Sequence, residues 1–178
     1  TAYEIADRDW SSDVCSSIYS AAVLAAGGIG SGRQVAAALA LGASGVWMGS
    51  YWLTTSEYKL GSASGEGPSA IQRALLGATS ADTVRSRIYS GKPARLLKTK
   101  WTEAWSNPGA PAPLPMPLQN LLVSDAHQRI AASENPEVVA MPVGQIVGRM
   151  NEIRPVAEVM AELVSGFEDA RTRLDSMK

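Results

Sequence analysis

The stretch Ala21-Ala22-Val23-Leu24-Ala25-Ala26, running directly into Gly27-Gly28-Ile29-Gly30-Ser31-Gly32, constrains the fold more than any other part of the sequence. A short apolar run without polar alternation predicts a strand buried on both faces of a parallel sheet. The glycines that follow allow a tight turn, and a helix opens from it. Ser31 is placed to cap that helix, Arg33 to Leu41 supply strong helix formers, and Gly42 stands where a C-terminal glycine would end it. A second buried strand is expected at Gly45-Val46-Trp47-Met48-Gly49. Strand, helix and strand within about 30 residues make a βαβ unit, whose crossover is right-handed and whose strands are parallel.

The same glycines carry the first chemical signal. They tolerate positive φ and let backbone N–H groups approach an anion, and the following helix dipole adds partial positive charge at its N-terminus. Phosphate is the natural guest, although a glycine-rich strand-to-helix turn alone is a weak signal. A Rossmann dinucleotide site would need G-x-G-x-x-G and an acidic residue at the end of the next strand. Here the glycine order differs, and the next strand ends in Gly49-Ser50, which supplies a small residue and a hydroxyl. Two neighbouring strand ends finished with glycine are the arrangement expected after strands seven and eight of a (β/α)8 barrel.

With those residues in view, the chain closely resembles the nitronate monooxygenases, formerly called 2-nitropropane dioxygenases. The resemblance rests on Ala25-Ala26-Gly27-Gly28-Ile29, on Gly32-Arg33-Gln34-Val35-Ala36-Ala37-Ala38-Leu39-Ala40-Leu41-Gly42-Ala43, and on Gly45-Val46-Trp47-Met48-Gly49-Ser50. It continues through Ser90-Gly91-Lys92-Pro93-Ala94-Arg95, similar to the family's [ST]-G-[RK]-P-A-R turn, and more loosely through Pro142-Val143-Gly144-Gln145 and the final helix. It covers the chain from about residue 21 to the end. The resemblance implies an FMN cofactor whose phosphate is held by Gly27, Gly28, Gly49 and Ser50, with Trp47 and Met48 near the flavin. Many relatives have Thr in place of Ser50, and the hydroxyl is retained. Gly144 and Gln145 resemble a G-Q element that approaches the cofactor. The implied reaction oxidises an alkyl nitronate with O2 to a carbonyl compound and nitrite. An FMN-dependent enoyl reductase of the same superfamily, using NAD(P)H, shares both glycine motifs. A non-catalytic binding or vestigial protein is the reading from a different class.

Most family members carry a catalytic histidine in a glycine-flanked turn on earlier strands, and no residue here matches it. No catalytic residue is therefore assigned to this chain. A complete barrel takes about 200 to 250 residues or more, whereas two barrel strands are readable here. The expected fold is α/β: a partial (β/α)8 TIM barrel, comprising the last two βα units, followed by a mainly helical C-terminal region. Residues 1–20 show neither a 2.0 nor a 3.6 period and are expected to be non-native or disordered. Residues 21–60 form the terminal βαβ part of the FMN-binding barrel, and residues 61–178 the helical and loop region of the same domain. The chain is expected to be a fragment, inactive on its own.

Downstream, residues 61–68 read as a Gly- and Ser-rich loop, Pro68 to Leu76 and Ala81 to Arg87 as two short helices, and Tyr89-Ser90-Gly91-Lys92-Pro93 as a turn. Ser106 to Pro117 holds five prolines and must run over the surface. Helix returns around Leu118 to Ser133. Pro155 then opens a last helix whose Val156, Val159, Met160, Leu163, Val164, Phe167 and Leu174 share one packing face. Trp101 and Trp105 are read as a packing pair, and Lys92 and Arg95 as surface or structural residues.

Counting removes other functions. Cysteine and histidine each occur once, as Cys15 and His127, which excludes disulfide frameworks and Cys/His zinc sites, and no metal is expected. His127 lies in a helical stretch with no nucleophile elbow near it and reads as an ordinary helix-surface histidine. With 16 basic and 17 acidic residues and no basic block, no nucleic acid or anionic membrane surface is expected as a partner. No apolar run approaches the roughly 20 residues of a membrane span, and the start lacks a signal-peptide pattern, so a cytoplasmic address is expected.

Overall fold

The computed structural model describes residues 22–59 and 67–177. The expectation for residues 1–20, with Cys15, lies outside them, as does most of the 61–68 loop. The chain divides into two compact units, one formed by the chain up to Met48 together with residues from Ala157 onward, the other by Gly49–Val156.

The first unit contains the expected βαβ motif. Strand β1 (Leu24–Ala26) pairs in parallel with β2 (Gly45–Trp47), with Leu24, Ala25 and Ala26 opposite Gly45, Val46 and Trp47. Helix α1 (Gly32–Ala40) connects them. Its start is fixed by Ser31, which has an extended backbone and whose side-chain oxygen accepts the Gln34 amide at 3.3 Å. Its end is marked by Gly42 at φ 95°, a left-handed position that glycine occupies without steric cost. The strands depart from the expectation of burial on both faces: Leu24 is 48% and Trp47 67% exposed. The sheet described here has only two strands, so much of its apolar surface meets no second layer.

Gly32 meets the last long helix, labelled α5 (Val156–Asp175), backbone to backbone. A Cβ at Gly32 would collide with the Leu163 carbonyl oxygen and the Phe167 nitrogen, and one at Gly166 would come to 3.4 Å from the Gly32 Cα. Contact that close requires glycine at residue 32, whereas a Cβ at Gly166 would make ordinary van der Waals contact. The α5 face expected from its spacing is only partly used. Val159 and Leu163 are buried, whereas Met160, Val164 and Leu174 remain exposed, because the close glycine contact engages a narrow stripe of the helix.

The second unit opens with a 3-10 turn, Ser50–Thr54, followed by α2 (Ala70–Leu76). Ser69 and Gln72 form a reciprocal capping box at the start of α2, and Gln72 Nε2 also donates to the Thr55 carbonyl at 2.9 Å. The helix expected over Ala81 to Arg87 is instead strand β3 (Thr83–Ser86), antiparallel to β4 (Ala94–Leu97), with Thr83 opposite Leu97 and Ser86 opposite Ala94. Thr83 and Val84 are β-branched, and pairing with β4 outweighs the weak helical pattern around them. The C-terminal region is therefore not mainly helical throughout: it contains a hairpin whose turn holds the Ser90-Gly91-Lys92-Pro93 sequence. Arg95 acts structurally across the hairpin, donating to Thr83 Oγ1 at 3.1 Å.

Helices α3 (Lys100–Ser106) and α4 (Leu118–Ala132) flank the proline-rich segment, which has no regular structure. That segment is held at two points. Gly91, at φ 89°, lies under it, so that a Cβ there would come to 2.6 Å from the Leu114 carbonyl oxygen and collide with the Met116 nitrogen. Gln119, fully buried, accepts the Leu114 amide at 2.9 Å and donates to the Ile88 carbonyl at 2.8 Å. Trp101 and Trp105 pack edge to face at 5.9 Å, as expected of a structural pair. His127 departs from the surface role expected of it. Its ring stacks on Tyr89 at 4.9 Å and meets Trp101 edge-on at 5.7 Å, because α4 turns this position toward the hairpin and α3. Burial lowers the pKa of the imidazole.

Candidate functional site

The glycine-rich turn leaves β1 with two consecutive left-handed residues, Gly27 at φ 102° and Gly28 at φ 69°. At neither would a Cβ meet any atom within 4 Å, so the bare backbone borders open space. Gln34, one turn into α1, braces this loop from within. Its Nε2 donates to the Gly28 carbonyl at 2.8 Å, and its Oε1 accepts the Gly30 amide at 2.9 Å. Sequence reasoning placed Gln34 in the helix without a role. A Gln at the third position of a helix that follows a glycine turn is the signal that could have found it, since such side chains fold back onto the preceding loop.

Because Ala26 and Trp47 are register partners on parallel strands, Gly27 and Met48 leave the sheet at the same edge. Trp47 is exposed at the end of β2, and Met48 is partly buried after it. In the second unit, Gly49 precedes the 3-10 turn and also borders open space. The Ser50 hydroxyl accepts the Gly144 amide at 3.0 Å, which joins the strand-end motif to the Gly144–Gln145 element 94 residues later in the chain. Gly144 caps the 3-10 turn Gln145–Arg149, and Gln145 itself is exposed.

Neither residues 27–34 nor residues 45–50 contain a carboxylate of their own. In the first turn of α1 the Gln34 amide is taken by Ser31, whereas the Gly32 and Arg33 amides have no acceptor within the helix, and this end carries the positive pole of the helix dipole. Among the described residues, no group of three or more His, Cys, Asp or Glu side chains could hold a metal ion, and no helix is long and apolar enough to cross a membrane.

A parallel βαβ unit with glycines at both strand ends places the chain in the mixed α/β class. Residues 12–166 match the nitronate monooxygenase family, and the chain belongs to that family. It is 48% identical over 161 residues to Rv1533 of Mycobacterium tuberculosis, a protein assigned as a monooxygenase, covering 87% of this chain and 41% of that protein. A Bacillus subtilis protein assigned as a nitronate monooxygenase is 34% identical over 141 residues, covering 79% of this chain and 38% of its own length. Among solved structures, nitroalkane oxidase from Streptomyces ansochromogenes superposes with a TM-score of 0.74 at 30% identity, over 91% of this chain and 44% of that one. FabK from Thermotoga maritima gives 0.71 at 27% identity, over 94% and 50%. The chain thus spans about two-fifths of the length of these curated relatives.

Proposed function

We propose that this chain supplies the phosphate end of an FMN site to a cytoplasmic nitronate monooxygenase, as the last two βα units of a (β/α)8 barrel and the region that follows them. The observation that carries this reading is the pair Gly27 and Gly28, left-handed and open where a side chain would stand, at the head of α1. Their amides and the α1 dipole would hold the phosphate, with Gly49 and the Ser50 hydroxyl as a second contribution. Trp47 and Met48 would lie near the flavin, and Gly144 and Gln145 would approach it. FMN, when bound, supplies the electron acceptor through which an alkyl nitronate and O2 become a carbonyl compound and nitrite. The residues of this chain bind and orient; no general base is assigned among them.

The activity test joins the chain to the upstream part of its Mycobacterium tuberculosis relative. The chain alone is expected to release no nitrite from propyl-2-nitronate with FMN and O2, and the joined protein to release it. The similarity to FabK favours a second reading, an FMN-dependent enoyl reductase. NAD(P)H-dependent reduction of an enoyl thioester without nitrite release would select it, and failure of both assays would leave a binding role.

A further inference from the structure

The Gly144–Gln145 peptide is held from both sides by hydroxyls that lie far apart in sequence. Ser50 Oγ accepts the Gly144 amide at 3.0 Å, and Ser80 Oγ donates to the Gln145 carbonyl at 2.7 Å. A third contact fixes Ser80 itself: a Cβ at Gly148 would come to 2.6 Å from Ser80 Oγ and 2.9 Å from its backbone nitrogen. Residue 148 must therefore be glycine for Ser80 to sit where it does. Gln145 is exposed, and its carboxamide makes no hydrogen bond among the described residues. The backbone of this residue is clamped while its side chain is left available.

We propose that Ser80, with Gly148 beneath it, is a positioning residue that works with Ser50 to present the Gln145 carboxamide to the polyhydroxyl chain next to the cofactor phosphate. This rests on the FMN reading above. Ser50 accepts from Gly144 through a lone pair, which leaves its own proton to donate to a phosphate oxygen. The Gln145 turn therefore adjoins the position of the phosphate, and the atoms that follow the phosphate in FMN are the ribityl hydroxyls. A carboxamide, with one acceptor oxygen and two donor hydrogens, matches hydroxyls that both give and take hydrogen bonds. Fixing its backbone in advance removes ordering entropy from the binding step.

The test titrates the 178-residue chain with FMN, alongside its Ser80→Ala, Ser80→Thr and Gly148→Ala variants, and follows hydrogen exchange in the peptide spanning residues 143–148. Ser80→Ala is expected to weaken FMN binding by up to about tenfold, because binding must then order the Gln145 backbone that the clamp had fixed in advance, and to speed exchange in that peptide, with the fold retained and the melting temperature lowered only slightly. Ser80→Thr restores both because it keeps the hydroxyl, and Gly148→Ala reproduces the Ser80→Ala loss by displacing Ser80. FMN affinity or exchange in Ser80→Ala equal to that of the unsubstituted chain would overturn the clamp and leave the cofactor reading intact. An unsubstituted chain that binds no FMN would overturn the cofactor reading, and the role of the clamp with it.

Discussion

At Gly28 the backbone has φ 69°, open space where a side chain would point, and a carbonyl tied down by Gln34. Gly28→Val puts a β-branched side chain into that space and into a conformation it disfavours by roughly 1–3 kcal/mol. Loss of measurable FMN binding is the expected result, read by fluorescence quenching; an unchanged affinity would remove Gly28 from the site. Gly91 is a contrasting glycine, because its Cβ position is filled by the backbone of the proline-rich segment. Gly91→Ala should lower unfolding stability by about 3 kcal/mol or more, combining left-handed strain with a backbone clash, and urea denaturation would measure it. The two glycines look alike in sequence, and only the neighbours show that one borders a void and the other a strand of chain. His127 gives a pH prediction. Burial lowers its pKa from the ordinary value near 6.5, so the unfolded chain takes up the proton first as the pH falls. Its contribution to stability is complete above about pH 6.5 and declines below that. The carboxylates held low, Glu57 by the Val156 amide and Asp82 by Thr79, release their stabilisation only in the more acidic range. The melting temperature should therefore fall between pH 7 and pH 5, and His127→Phe should flatten that part of the profile. An identical profile in the variant would show that the Tyr89–His127 stack tolerates the proton.

Between elements, the sharpest contact is α1 on α5 through Gly32 and Gly166. Alanine is favoured over glycine inside a helix by about 1 kcal/mol, but a methyl group at residue 32 would strike the Leu163 carbonyl and the Phe167 nitrogen, and overpacking of this kind costs about 1–3 kcal/mol. The clash wins, so Gly32→Ala should destabilise the chain despite its better helix propensity, as thermal melting would show. The βαβ unit was legible because its signals are local: an apolar run, a cap at Ser31 and a glycine stop at Gly42. The hairpin was not, because β3 is recognisable only by its partner β4, and Ala81 to Arg87 alone carries no strand alternation strong enough to overrule a helix. The same limit hid the Ser50–Gly144 bond and the Gln34 brace. Residue types at the glycine turn could be read directly; which distant amide a serine hydroxyl accepts could not.

Across the whole molecule, several large apolar side chains remain exposed. Leu24 and Trp47 belong to the two-stranded sheet, and Leu118, Leu121 and Leu122 lie along α4. Exposed strand edges and apolar surface of this extent promote self-association. The chain alone should scatter light increasingly with concentration, and a monodisperse sample with a cooperative melt would contradict that expectation. Sequence similarity fixes the family over most of the chain, and the cofactor claim turns on phosphate recognition at the glycine turn. The most direct test is to titrate the chain with FMN and with riboflavin, which differ only in the phosphate. Clear preference for FMN, lost in Gly28→Val, is the predicted result; equal binding of the two, or no binding of FMN, would contradict the account.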